Sequence, residues 1–206
     1  MRTLVIDSAT EACSVALLDG DSLIAGDCRV LGRGHAESLV PMIAALPGKG
    51  RAQRIVVALG PGSFTGVRVG LAAARALALA WKADLLGYAS PALVAAKARA
   101  LGGAVPLRVA MTGGHGEWFV TDFDAGGAMA GQPASLVPAA AASGGPSLVA
   151  GNQAEALVAL RGTGNALPLL PDARDFALLP EAALLAEAAP LYGRPPDARL
   201  PGTATP

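Results

Sequence analysis

Apolar residues along the chain fall into short runs, punctuated by glycine-rich turns. Residues 3–7 (TLVID) are continuously apolar and β-rich until the terminal acid, the pattern of a strand at the centre of a sheet. Residues 13–19 and 22–28 flank Asp19-Gly20, an Asp-Gly turn signal that predicts a hairpin. A loop with two glycines, Leu31-Gly32-Arg33-Gly34, leads to a helical stretch around 35–47. Within it Pro41 either kinks the helix or, if the helix starts at Ser38, sits harmlessly in the first turn. Residues 54–59 (RIVVAL) form another buried strand, and the Gly/Pro loop 60–66 opens a long helix to about Lys82. A short strand at 85–88 precedes a helix that starts at Ser90 with Pro91 in its first turn and ends near Gly102-Gly103. The predicted order is β-β-β-α-β-α-β-α.

Beyond Gly103 the pattern reads as a degraded second copy. Strands are predicted at 106–110 and 117–123, with a Gly-rich turn at 113–116 between them. Segment 125–146 is rich in Gly, Ala and Pro and reads as a loop with a short helix. Strand 147–150 runs into a helix to about 160, and 174–188 is predicted as a last Ala/Leu helix. The expectation is an α/β protein with duplicated βββαβα lobes: 1–102, 103–189, and a Pro-rich, mostly disordered tail 190–206.

Composition narrows the function. The chain has 206 residues, 52% of them hydrophobic, with 16 basic and 16 acidic side chains. That balance lacks the basic footprint of a protein that grips nucleic acid alone. The halves differ mildly: residues 1–103 carry 11 basic and 7 acidic groups, the remainder 5 and 9. No apolar run of about 18 residues appears, so a membrane span is excluded and no membrane contact is expected, and the opening residues meet Asp7 too early for a signal peptide, so the expected location is the cytoplasm. Counting outward from Asp19-Gly20 sets Cys13 opposite Gly26, leaving Cys28 a diagonal neighbour on the same face. Diagonal Cβ atoms lie about 7–8 Å apart, beyond the roughly 4 Å of a disulfide. Two reduced thiols are expected.

The motifs are informative mostly by what they lack. Gly60-Pro61-Gly62-Ser63-Phe64-Thr65-Gly66 joins a strand to a helix, but Val67 stands where a phosphate-binding P-loop requires lysine. In the helix behind it Gly66, Gly70, Ala73, Ala74 and Leu77 share one face, while Arg68, Arg75 and Lys82 form a polar stripe. The small-residue stripe reads either as core or as a helix–helix subunit interface; on the second reading Gly70→Leu abolishes pairing and leaves the monomer folded. His35 has Leu39 at i+4 and the other histidine, His115, is remote, so no metal helix is predicted. No nucleophile–base set emerges around Ser8, Ser14, Ser63 or Cys13.

Asp7-Ser8-Ala9-Thr10, ending the first strand and preceding a hairpin, resembles the phosphate-binding turn of the acetate kinase/sugar kinase/Hsp70/actin superfamily. The other parts of that nucleotide cleft are weakened. The second phosphate loop reads Met111-Thr112-Gly113-Gly114 without a carboxylate, and the adenosine loop reads Gly151-Asn152 where a glycine pair is usual. An alternative function, an active kinase or ATPase using Asp7, follows from this resemblance alone.

Three strings taken together, LVIDSATEACSVALLDG, HAESLVPMI and ALGPGSFTGVRVGLAAARALA, resemble the TsaB (formerly YeaZ) family. Weaker matches continue at Gly116-Glu117, Gly151-Asn152 and Pro190-Leu191-Tyr192-Gly193-Arg194; Thr112-Gly113-Gly114 departs from the family's Asp-Ala-Arg. The resemblance implies a two-lobed actin-like fold with a decayed cleft (Asp7, Ser8, Thr10, Gly113, Gly114, Gly151, Asn152), no metal and no cofactor. It also implies a non-catalytic partner of TsaD in making N6-threonylcarbamoyladenosine at position 37 of tRNA. TsaE docks on that pair, TsaC supplies the activated intermediate, and tRNA is met through the complex. Pairing through first-lobe helices, or homodimerisation in isolation, would then use His35, Glu37, Leu39, Met42, Ile43, Leu46, Phe64, Thr65, Gly66, Arg68, Val69, Gly70, Ala73, Ala74 and Leu77.

Overall fold

The computed structural model describes residues 1–193; the expected disorder of the tail from Arg194 onward lies outside the described residues. The first half follows the predicted order. Strands β1 (Arg2–Asp7), β2 (Ala12–Asp19) and β3 (Ser22–Val30) form an antiparallel meander, followed by α1 (His35–Ala45). Then come β4 (Arg54–Ala58), α2 (Phe64–Trp81), β5 (Asp84–Tyr88) and α3 (Ser90–Gly102). Pro41 lies inside α1, on its exposed side, so the helix starts before Ser38 and includes the proline. The second half contributes β6 (Leu107–Thr112), β7 (Trp118–Phe123), β8 (Ala134–Leu136), α4 (Pro138–Ala141), β9 (Leu148–Ala150), α5 (Ala154–Arg161) and β10 (Asn165–Leu167).

Sheet order exposes the duplication. The first sheet runs β5-β4-β1-β2-β3, and the second runs β10-β9-β6-β7-β8, the same permutation with the same parallel and antiparallel neighbours. β1 is central and buried on both faces. Leu4 and Ile6 meet Leu39, Met42, Leu71 and Ala74 beneath α1 and α2, whereas Val5 joins the core that contains α3. That second core is continuous across the lobes, from Val56, Tyr88 and Leu93 to Leu107, Met111 and Phe119. Its continuity makes the two sheets one packed body.

The predicted helix 174–188 is absent. In its place stand two short 3-10 turns, Ala173–Leu178 and Glu181–Ala183, and then β11 (Leu184–Leu185), which adds antiparallel to β5 at the edge of the first sheet. Pro180 between the turns has no N–H to continue a helix. The chain after β10 therefore returns to the first lobe, where the sequence reading had placed it with the second.

Hairpin register also departs from the simple count. The turn pairs Asp19 with Ser22, and an irregularity between Leu17 and Leu18 leaves Ile24 unmatched. Cys13 thus lies opposite Arg29, and Cys28 opposite Ser14. Adjacent positions point to opposite faces of a sheet, so the two thiols are separated by the sheet itself and both are free.

Candidate functional site

The turn after β1 is where the actin-like fold grips a phosphate, and here its polar groups are engaged inside the protein. Asp7 is buried, accepts a hydrogen bond from the Ala9 N–H at 3.0 Å and another from the Tyr88 hydroxyl at 2.8 Å. Burial lifts its carboxyl to about 6, against the lowering pull of those two donors. The Ser8 hydroxyl donates to the Gly66 carbonyl at 2.8 Å, and Thr10 Oγ1 accepts from the Ala12 N–H. His35 completes the fastening. Its Nε2 is 2.8 Å from the Thr10 carbonyl and 3.3 Å from that of Ala12; two acceptors require the proton on that nitrogen.

The glycine string answers to the same turn. A Cβ on Gly62 would land on the Ala9 carbonyl, one on Gly66 on the Ser8 carbonyl, and one on Gly70 2.5 Å from the Ser8 hydroxyl. Ser63 donates its N–H to the Ala9 carbonyl at 2.7 Å and caps α2 by accepting from the Gly66 N–H. The spacing of four therefore presses one face of α2 onto residues 8 and 9. The sequence reading of a subunit-docking ridge is corrected at these positions. Gly66, Gly70 and Ala74 are buried against their own lobe, as are His35, Leu39, Met42, Ile43 and Leu46 of the α1 segment. Of the expected interface, Glu37, Phe64, Thr65 and Arg68 remain exposed, with Val69, Ala73 and Leu77 half-buried.

The arginine stripe also has internal partners. Arg68 donates to the Tyr192 hydroxyl at 3.2 Å and Arg75 to the Ala188 carbonyl at 2.8 Å, and Leu191 donates its N–H to the Leu59 carbonyl. One flank of α2 thus holds the returning C-terminal segment against the first lobe. By length and composition α2 is also the one described helix long and apolar enough to cross a membrane, although Arg68 and Arg75 interrupt its apolar run. In the structure it covers a sheet, with Gly66, Val67, Gly70, Leu71, Ala74 and Ala78 inward.

Across the cleft, the second lobe supplies a clasp. Asn152 Nδ2 donates to both oxygens of Glu11 at 2.8 and 2.9 Å and to Thr112 Oγ1 at 3.0 Å, while its Oδ1 accepts from the Thr112 N–H. Gln153 donates to Thr112 Oγ1 as well. Gly151 packs on the Ala110 carbonyl and Gly113 on that of Glu117, both too closely for a side chain. Gly114 has open space around it. Sequence reasoning flagged Asn152 as an intrusion; its tie to Glu11 needed coordinates, because the two residues are far apart in the chain.

These residues do not fit a metal-bound nucleotide. The carboxylate that would order metal or water, Asp7, is sealed beneath Tyr88, and each oxygen of Glu11, which lines the cleft, accepts a hydrogen bond from Asn152. Among the described residues no group of three His, Cys, Asp or Glu side chains is placed to hold a metal ion. A cavity of about 1000 Å³ nevertheless remains between the lobes, lined in part by Phe64, Arg68, Phe119 and Tyr192.

Comparison with known proteins agrees with this geometry. The chain is 35% identical over 128 residues to the tRNA threonylcarbamoyladenosine biosynthesis protein TsaB of Escherichia coli K12, a match spanning 60% of this chain and 55% of that protein. The chain thus matches only about half the length of this curated relative. Among solved structures, YeaZ from Pseudomonas aeruginosa superposes with a TM-score of 0.76 at 29% identity, covering 93% of this chain and 99% of that one. The ethanolamine utilization protein EutJ from Carboxydothermus hydrogenoformans, at 14% identity and TM-score 0.51 over 87% of this chain and 90% of that one, shares the fold. With residues 29–163 matching it, the chain belongs to the family described as TsaD: tRNA N6-adenosine threonylcarbamoyltransferase, on its TsaB/YeaZ branch.

Proposed function

We propose that the chain is a non-catalytic subunit in the synthesis of N6-threonylcarbamoyladenosine at position 37 of tRNAs reading ANN codons, acting in the cytoplasm as the partner of a TsaD-type transferase. TsaE joins that pair, TsaC provides the activated intermediate, and tRNA is engaged through the complex. The observation that carries this reading is the similarity to TsaB of E. coli. The engaged polar groups of the first turn support it, since Asp7 and Ser8 are both spent on bonds inside the protein.

The pairing surface is the outer face of α1 and α2 rather than the buried glycine stripe. Val40 is 60% exposed and Leu79 84% exposed, and Ala36, Ala44, Ala72, Ala76 and Ala80 are exposed around them. Apolar surface of this extent on two neighbouring helices is the mark of a protein contact. Charge placed there tests it: Leu79→Glu with Ala76→Arg abolishes co-sedimentation with the TsaD protein of the same organism and leaves the far-ultraviolet spectrum of the isolated chain unchanged. Pairing that survives both substitutions overturns the surface, and modification of tRNA by the purified chain without TsaD overturns the non-catalytic role.

A further inference from the structure

The cleft between the lobes has a chemistry that neither nucleotide binding nor subunit pairing employs. Its walls are apolar and aromatic, with Phe64, Val67, Phe119, Leu191 and Tyr192 around a volume of about 1000 Å³, the size of an ordinary small-molecule site. Among the described residues, Glu11, Arg68 and His115 are the ionisable side chains at its surface besides Tyr192. Both oxygens of Glu11 are taken by Asn152, and His115 sits exposed in the glycine turn at the rim.

Arg68 is different. Its guanidinium lies over the Phe64 ring at 3.5 Å from the centroid, and its hydrogen-bond partner is the Tyr192 hydroxyl. Among the described residues it takes part in no ion pair. A guanidinium stacked on one aromatic ring and bonded to a second is held in one orientation, with donors left over for a planar anion. It is thus a fixed positive charge on the wall of an apolar cavity.

We propose that this cleft binds a small apolar or aromatic monocarboxylate, with the carboxylate on Arg68 and the hydrocarbon body between Phe64, Phe119 and Leu191. One guanidinium matches one negative charge, and the aromatic walls match a hydrocarbon body. A triphosphate would leave several charges facing apolar walls without counter-ions, and desolvating unpaired charge is costly.

Hydrocinnamate is the probe, titrated calorimetrically into the full chain beside its neutral amide and Mg-ATP. The carboxylate saturates at millimolar concentration or below and binds more tightly than either comparison compound. Arg68→Gln weakens the carboxylate about tenfold or more and leaves the amide unchanged, as loss of a charge-assisted pair requires. Phe64→Ala weakens carboxylate and amide alike. Equal binding of carboxylate and amide, no effect of Arg68→Gln, tighter binding of Mg-ATP, or no saturation at millimolar concentration each overturns the proposal. Because pairing with TsaD is read separately, failure here leaves the subunit assignment standing.

Discussion

Asp7 carries its proton well into the range where ordinary aspartates have lost theirs. Its carboxyl titrates at about 6, against 3.8 for the free group, because burial disfavours the charged form more than Ala9 and Tyr88 favour it. The Asp172 charge adds to the rise and His35 opposes it. A raised carboxyl pKa means that the folded chain holds a proton the unfolded chain has released. Stability therefore falls as pH climbs from about 4 to about 6 and then levels off. Asparagine at this position is neutral at every pH; its Oδ1 can accept from the Ala9 N–H and its Nδ2 can donate to the Tyr88 oxygen, reversing that bond. Asp7→Asn should match the parent near pH 4 and exceed it by about 3 kcal/mol above pH 7, as measured by urea denaturation at the two values. A parent chain more stable at pH 8 than at pH 4, relative to the variant, would contradict the burial argument. A catalytic Asp7 facing solvent would show no such pattern.

Helix α2 is where the reading from sequence met its limit. Its existence and its end near Lys82 were legible, because the Gly/Pro loop and the apolar spacing that follows depend on neighbours in sequence, whereas the structure starts it inside that loop, at Phe64, with Ser63 as its cap. The existence of a small-residue face was legible too. What that face presses against was not legible, since Gly70 meets Ser8 and Ile6, sixty residues earlier in the chain, and a stripe of glycines looks the same whether its neighbour is another subunit or its own sheet. The helix predicted over 174–188 failed for a related reason. Its Ala/Leu composition favours a helix locally, whereas the structure uses Leu184 and Leu185 to extend a sheet edge formed by β5. Gly70→Leu should therefore destabilise the isolated chain by about 3 kcal/mol or more, the cost of overpacking a tight contact. Ala72→Leu, on the exposed face of the same helix, should shift stability by less than about 0.5 kcal/mol. Chemical denaturation of the two variants ranks them, and equal effects would show that the stripe is a free surface after all.

At the scale of the whole molecule, duplication produces two sheets of one strand order, and the contacts added since then decide how far they can part. The strands of the first half and β6, β7 and β9 of the second were legible as apolar runs between glycine turns, whereas β8, in a segment read as a loop with a short helix, and β10, three residues each, were not read. The fastening between the lobes, Asn152 to Glu11, and those that hold the returning C-terminal segment to the first lobe, Ala173 to Ser14 and Leu191 to Leu59, were not legible, because each joins residues distant in sequence. Asn152, in the second lobe, holds the carboxylate of Glu11 in the first. Replacing it with alanine removes a charge-assisted pair and leaves Glu11 without its donor, a loss of about 2 kcal/mol. That loss falls on the opening of the cleft, since the core through Val56, Tyr88 and Met111 still joins the sheets. Asn152→Ala should accordingly speed hydrogen exchange in the Thr10–Ala12 turn and in the Thr112–Gly114 loop while α3 stays protected. It should also fail to gain Mg-ATP binding, because opening the lobes does not free Asp7 from Tyr88 or lift α2 off Ser8. If the variant binds the nucleotide, Asn152 alone has closed an otherwise working site, and the engagement of the first turn counts for less than its geometry indicates.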